Sequence, residues 1–340
     1  MKVILSFDYE LFFGEASGSP EKCLVEPTEA LAAVAGEYGV PLCFFVDAGY
    51  LASLRRFGPN DAMLGRQDAM TRRNLDMLAG QDHEILLHVH PHWEDSVWRE
   101  GRWLFDLSRF ALRDFDGAAV TDIFVRYADE LRPHTTGGLL HAYRAGGWAI
   151  HPFAPIRAAL KSAGIRVDST VYRGGKDVSG KNYFDFSIAP AKSSWRFETD
   201  PLVEDPRGGF LEIPASSMMV SPAYYWGLTF SRLSGQTEAQ TFGDGAVRPM
   251  RASRSRMDKL MKLTASSQYC VTLDGMKANL VLPEYRRVKQ QGGELLVLLS
   301  HPKMMTPVSI ACLRRLLDEI RANGDEVVGY ERFASFDDVV

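Results

Sequence analysis

The sequence predicts an α/β fold assembled from parallel βαβ units. Three observations carry that expectation: short apolar runs that end at a carboxylate or an imidazole, helical periodicity in the stretches between them, and regular alternation of the two. Residues 2–7 are the first apolar run and stop at Asp8. Residues 28–38 place Ala30, Leu31, Val34, Ala35 and Tyr38 at helical spacing, with Pro27 near the start. Residues 41–46 (PLCFFV) read as a second strand, 69–78 as a helix ending near Gly80, and 84–88 (EILLH) as a third strand.

Residues 93–138 are a polar and aromatic insertion with a helix expected at 120–131. Strand-like runs return at 139–144, 165–171, 210–213 and 295–299, and helices fit 155–163 and 308–323. Between 172 and 270 the chain is otherwise irregular, rich in Gly, Ser, Pro and aromatic residues, with a basic cluster at Arg251, Arg254 and Arg256. These stretches read as long loops decorating a barrel. The expected organisation is therefore one domain over 1–340, with insertions near 93–138 and 172–270. No internal repeat or low-complexity tract interrupts it.

Composition narrows the class. A chain of 340 residues, 46% hydrophobic and 24% charged, can bury a full core. A net charge of -4 and a pI near 6.1 provide no basic field for nucleic acid or an anionic membrane. The start, MKVILSFDYELFFG, is apolar but reaches two acids quickly and offers no small-residue cleavage site, so it is not expected to act as a signal peptide. No apolar run is long enough for a membrane span. Cys23, Cys43, Cys270 and Cys312 are widely spaced and read as reduced packing residues. Together these features point to a cytoplasmic protein; nothing in the sequence speaks to its oligomeric state.

The chemistry sits at the expected strand ends, where parallel α/β folds place their sites. In SFDYE, Asp8 and Glu10 are two apart, so strand alternation sends both carboxylates to one side. One can hold a metal while the other takes a proton from water. Taken alone, the pair reads more readily as a solvated strand end. The segment HVHPHW packs His88, His90 and His92 into five residues, and neutral imidazole is a common zinc ligand. His88 and His90 could share a strand face, or His88 and His92 could ligate from a turn opened by Pro91. The HxHxDH pattern of metallo-β-lactamases is not matched. Arg144 in AYRAGGW precedes Gly146 and Gly147, which permit close backbone approach to a ligand and free N–H donors. Asp168 in VDSTV is a charge inside an apolar run. His301 ends the most apolar strand, LLVLLSHPK, and suits a general acid or a satisfied core histidine.

In this order, the five segments resemble the motifs of the NodB-type polysaccharide deacetylases, carbohydrate esterase family 4. SFDYE is similar to the family's TFDDG. The stretch from His88 to His92 resembles its HxxxH, with His83 and Glu84 matching the histidine-glutamate that often precedes it. RAGGW from Arg144 resembles the third motif, Asp168 is the nearest match to the aspartate of the fourth, and Leu299, Ser300 and His301 resemble LxH. The resemblance covers roughly residues 1–302 and implies a distorted (β/α) barrel of about seven strands with long loop insertions. It implies a divalent metal, Zn2+ foremost, on Glu10, His88 and His92. It also implies Asp8 as base, His301 as general acid, Arg144 orienting Asp8, Asp168 tuning His301, and the Gly147 N–H as oxyanion donor. The spacing departs from the family in one respect: its adjacent acids are here separated by Tyr9. His90 is extra, and the third motif lacks the usual proline.

The activity so implied is hydrolysis of an N-acyl group, acetyl first among them, from an amino sugar or glycan precursor. With no export signal in view, an intracellular sugar or a lipid-linked glycan precursor is the expected substrate. Trp93, Trp98, Trp103 and Phe105 of the insertion could stack on sugar rings or form ordinary lid packing. Two alternatives stand beside this reading: a barrel amidohydrolase acting on a non-sugar C–N bond, and a glycan-binding relative without catalysis. The presence of both a base and an acid beside the ligand histidines argues against the second.

Overall fold

The computed structural model describes residues 1–14, 16–178, 183–226, 240–246 and 263–336. The basic cluster at Arg251, Arg254 and Arg256 lies outside the described residues.

The main sheet takes its strands from the whole chain: β1 (Lys2–Tyr9), β2 (Cys43–Asp47), β3 (Glu84–Val89), β4 (Ala142–Ala145), β5 (Val167–Asp168), β6 (Trp195–Phe197), β7 (Phe210–Glu212), β8 (Leu295–Ser300) and β9 (Glu326–Val327). Their lateral order is β6-β7-β5-β4-β3-β2-β1-β8, with β9 also paired to β1. All pairings are parallel except β6 with β7. The sheet curls into a distorted (β/α) barrel. Single backbone bonds across Ala215, Ser216 and Val271 tie its open side: Ala215 donates to Val171, Ser216 to Val297, Val271 to Ser216 and Leu299 to Val271.

Helices α1 (Glu26–Tyr38), α2 (Ala48–Phe57), α3 (Ala62–Ala79), α4 (Gly117–Leu131), α5 (Phe153–Ala163), α6 (Val281–Gln290) and α7 (Pro307–Ala322) cover the outside. The expected helices at 28–38, 120–131, 155–163 and 308–323 correspond to α1, α4, α5 and α7. Helix α3 begins earlier than its apolar periodicity suggested, because Asp61 caps it by accepting from the Met63 and Leu64 N–H groups. Helix α2 follows β2 with no loop between them, a junction that apolar periodicity did not flag.

Side-chain parity sorts the strands. On β1, Val3, Leu5 and Phe7 point outward and pack with Leu31, Leu51 and Leu75 of the helices. Ile4 points inward and meets Cys43, Phe45, Leu86, Ala142, Val167, Leu211, Val297 and Tyr330 in an inner core. Strand periodicity then dictates that Ser6 and Asp8 follow Ile4, that His88 follows Leu86, and that Arg144 follows Ala142. His301 follows Val297 and Leu299 by the same rule. The inner column is thus apolar at the bottom and polar at its carboxyl end.

Among the described residues no helix is long and apolar enough to cross a membrane. The four cysteines are free and buried.

Candidate active site

A cavity of ≈ 390 Å³ opens at the carboxyl ends of β1, β3, β4 and β8. Its walls include Asp8, Glu10, His88, His90, Arg144, Gly147, Asp274 and His301, with aromatic surface from Phe13, Phe110, Trp148, Tyr172 and Tyr269.

Three side chains converge at its floor. The Glu10 Oε2 atom lies 2.7 Å from His90 Nε2 and 3.3 Å from His88 Nε2. Glu10, His88 and His90 each offer one ligand atom within 4.8 Å of the others, and all three are buried. The His88 Nδ1 atom lies 2.9 Å from the Arg144 carbonyl oxygen, which can only accept. Its proton is therefore on Nδ1, and a neutral His88 turns an Nε2 lone pair toward the Glu10 carboxylate. Acceptors facing one another in a buried site call for a cation or an added proton. This donor set of one carboxylate and two imidazoles suits a divalent metal with an open position for water or substrate.

The candidate group differs from the one the motif implied: the structure brings His90, and not His92, together with Glu10 and His88. His90 continues the extended backbone of β3 (φ -109°, ψ 97°), so it shares His88's inward parity. Pro91 then starts a short helical turn that carries His92 away into an aromatic pack. There His92 stacks on Phe110 with ring planes 8° apart and on Trp93 at 27°. Burial, with the His90 ring nearby, holds its imidazole well below the usual pKa and so neutral. Gly146 makes room for the substitution, since a Cβ there would fall 2.6 Å from His90 Nδ1. The preceding His83 and Glu84 lie at the opposite end of β3, where Glu84 accepts from the Tyr330 and Glu331 N–H groups.

Asp8 stands beside this group. Arg144 Nη1 donates to Asp8 Oδ1 at 2.5 Å, the pairing that the resemblance implied. The guanidinium is itself fixed by bonds to the Ser169 carbonyl, Ser6 Oγ, Ser169 Oγ and Tyr330 OH, and it lies 3.8 Å over the Phe45 ring. Burial alone would raise the Asp8 pKa; Arg144, His88 and His301 outweigh it and hold Asp8 ionised. The His301 Nε2 atom faces Asp8 Oδ2 at 3.8 Å.

The partner of His301 also differs from expectation. Asp274 accepts from both the His301 N–H and its Nδ1, each at 2.8 Å. Burial opposes the imidazolium, but Asp274 prevails and raises the His301 pKa to about 8. Asp168 cannot reach His301, because strand parity turns it outward. Val167 takes the inward place on β5, and Asp168 pairs in register with Glu212, flanked by inward Leu211 and Ile213. Asp168 instead accepts from Thr170 Oγ1, which accepts from the Ala145 N–H and so steadies the turn before Gly146. Gly147 adopts φ 60° and lines the cavity, where the motif expected an oxyanion donor.

Two residues of the site were passed over in the motifs. Asp274 ends a short apolar run, VTLD, and Lys303 follows His301 by two, and the motifs include neither. Trp93 and Trp103 of the insertion serve packing: they are buried against Tyr50 and Phe57, outside the cavity.

No family model and no curated protein matches the sequence. Solved structures do. A Mycobacterium smegmatis protein assigned to the polysaccharide deacetylases aligns over 98% of this chain and 89% of its own, at 18% identity and a TM-score of 0.53. A family 4 carbohydrate esterase from Streptomyces lividans, solved with acetate, aligns over 97% and 94% at 10% identity and a TM-score of 0.40. PuuE allantoinase aligns over 98% and 89% at 12% identity and a TM-score of 0.49. The chain has the NodB-type polysaccharide deacetylase fold.

Proposed function

We propose that the protein is a metal-dependent hydrolase that removes an N-acyl group, acetyl in the first instance, from an amino sugar or glycan precursor. One observation carries this reading: Glu10, His88 and His90 converge at the floor of a cavity whose walls also present an arginine-held carboxylate and an aspartate-held imidazole. Glu10, His88 and His90 would hold the ion, and a divalent ion such as Zn2+ supplies, when bound, Lewis acidity toward the acyl carbonyl and the attacking water.

The chain's own residues do the rest. Asp8, kept ionised by Arg144, accepts the proton of the attacking water. Arg144 cannot give up its proton, so it holds Asp8 in place without competing for that role. The Gly147 N–H donates to the developing oxyanion. His301, kept protonated by Asp274, hands a proton from Nε2 to the departing amine. Trp148, Tyr172 and Tyr269 offer faces on which a pyranose ring can rest.

The test pairs elemental analysis with an Asp8→Asn variant assayed for acetate release from N-acetylated oligosaccharides. We expect one zinc or a similar ion per chain, retained in the variant, with turnover reduced roughly 1000-fold. Full activity in metal-free protein would overturn the mechanism. Turnover of cyclic ureides or imides, with none of N-acetylated sugars, would move the chemistry to another substrate class.

A further inference from the structure

Lys303 has no part in the mechanism above, yet it is buried next to the ion-binding group. It leaves the turn Pro302–Met304 directly after His301, so one strand end delivers both side chains. Its Nζ donates to Glu10 Oε1 at 2.9 Å and to the Leu11 carbonyl at 2.6 Å. The rings of Phe12 and Phe13 lie 5.0 and 5.1 Å from the ammonium. Only 5% of the residue is exposed, so water does little to screen its charge.

The two Glu10 oxygens are thereby divided. Oε1 is engaged by Lys303, and Oε2 faces the imidazoles of His88 and His90. We propose that Lys303 is a positioning residue that serves as the internal counter-ion of Glu10. It restricts Glu10 to a single bond to the metal and moderates the affinity of the site. This inference rests on the metal-site reading given above.

The physical consequence has a sign. In the metal-free protein Lys303 offsets the charge of a buried carboxylate, so its removal leaves Glu10 uncompensated. A divalent cation at Glu10 is repelled by the ammonium, so the same removal strengthens metal binding. The charge inventory agrees: Arg144 and Lys303 already balance Asp8 and Glu10, and a bound divalent ion makes the cavity net positive. That surplus draws charge away from the carbonyl of an acyl group and favours an oxyanion over a neutral ground state.

The experiment uses full-length wild type, K303M, E10Q and the double variant, stripped of metal and then titrated with zinc against a chromophoric chelator. Thermal unfolding of the metal-free forms gives the second readout. We expect K303M to bind zinc about tenfold more tightly than wild type, and its metal-free form to melt several degrees lower. E10Q should recover most of that loss in the K303M background. A purely structural lysine would weaken zinc binding when removed, so unchanged or weaker affinity in K303M overturns the proposal. An equal effect of E10Q in both backgrounds overturns it as well. If K303M does not fold, K303Q carries the same comparison. Wild type that takes up no zinc, yet shows coupling between the two positions, sinks the proposed function while supporting the Lys303–Glu10 pair.

Discussion

Two acid pairs lie buried at the carboxyl end of this barrel, on opposite faces of one sheet, and their fates differ. Asp8 and Glu10 point inward, among Arg144, Lys303 and three imidazoles. Asp168 and Glu212 point outward; their near neighbours are the Thr170 hydroxyl, the Val171 N–H and each other. Both pairs are buried, which raises any carboxyl pKa. Cations reverse that effect in the first pair, so Asp8 and Glu10 both fall below the ordinary range. In the second pair burial and mutual repulsion win, and Glu212 rises well above it. The Asp168 Oδ2 and Glu212 Oε2 atoms have no donor unless one of the acids is protonated, so the outer pair shares a proton. Burial alone does not make a reactive carboxylate. The company of fixed cations separates the proposed base and metal ligand from a structural hydrogen bond.

The contrast can be broken most severely at Arg144. Arg144→Met removes the compensating charge of the inner pair and should cost about 3–5 kcal/mol in stability, measured by urea unfolding of metal-free protein. A loss below about 1 kcal/mol would show that Asp8 does not depend on that guanidinium.

Next in size, Asp274→Asn should lower kcat roughly 10- to 100-fold with little change in KM, because His301 loses the carboxylate that keeps it charged and aimed. The Asp168→Asn variant serves as control. If it were the more damaging of the two, Asp168 and not Asp274 would serve the acid.

His83 extends the comparison to a base whose burial outweighs the pull of a neighbouring acid, Asp82. Its Nδ1 accepts from the Leu42 N–H, and burial lowers its pKa to about 4. The folded state therefore excludes a proton that the unfolded chain takes up as pH falls below about 6.5. Stability from this group is present above that value and drains away as pH drops toward 4. The loss is about 3 kcal/mol. His83→Asn keeps the acceptor and cannot titrate, so its stability should be flatter between those limits in paired unfolding curves.

The smallest effect is expected at Glu212. Glu212→Gln reproduces the protonated form, accepting from Val171 and donating to Asp168. Wild type holds this proton in the fold at a pH where the unfolded chain has released it, so its stability declines as pH rises past the ordinary glutamate range. The variant should escape that decline and gain about 1 kcal/mol at neutral pH. A loss of stability instead would mean that both outer acids are ionised.

Much of the arrangement was legible in residue order alone. Apolar runs ending at Asp8, His88, Arg144 and His301 located four strand ends, because burial on both faces of a parallel strand leaves an unbroken apolar signature. Period-two alternation put Asp8 with Glu10, and it also made His88 with His90 one of two open pairings. The choice between His90 and His92 depended on where β3 stops. The structure ends the strand at the Pro91 turn and seats His92 in an aromatic pack drawn from Phe13, Trp93, Phe105 and Phe110, residues up to 97 positions apart. The partner of His301 was likewise a matter of tertiary parity. Asp168 lies on a strand as required but faces the wrong side, and Asp274 arrives from a segment that helps close the barrel. The sequence by itself determined the α/β class, the inward column of β1 and the chemical kinds of group at the site. Only the tertiary structure decided which histidine, which aspartate and which lysine complete it, because each choice depends on contacts between segments that no local periodicity records.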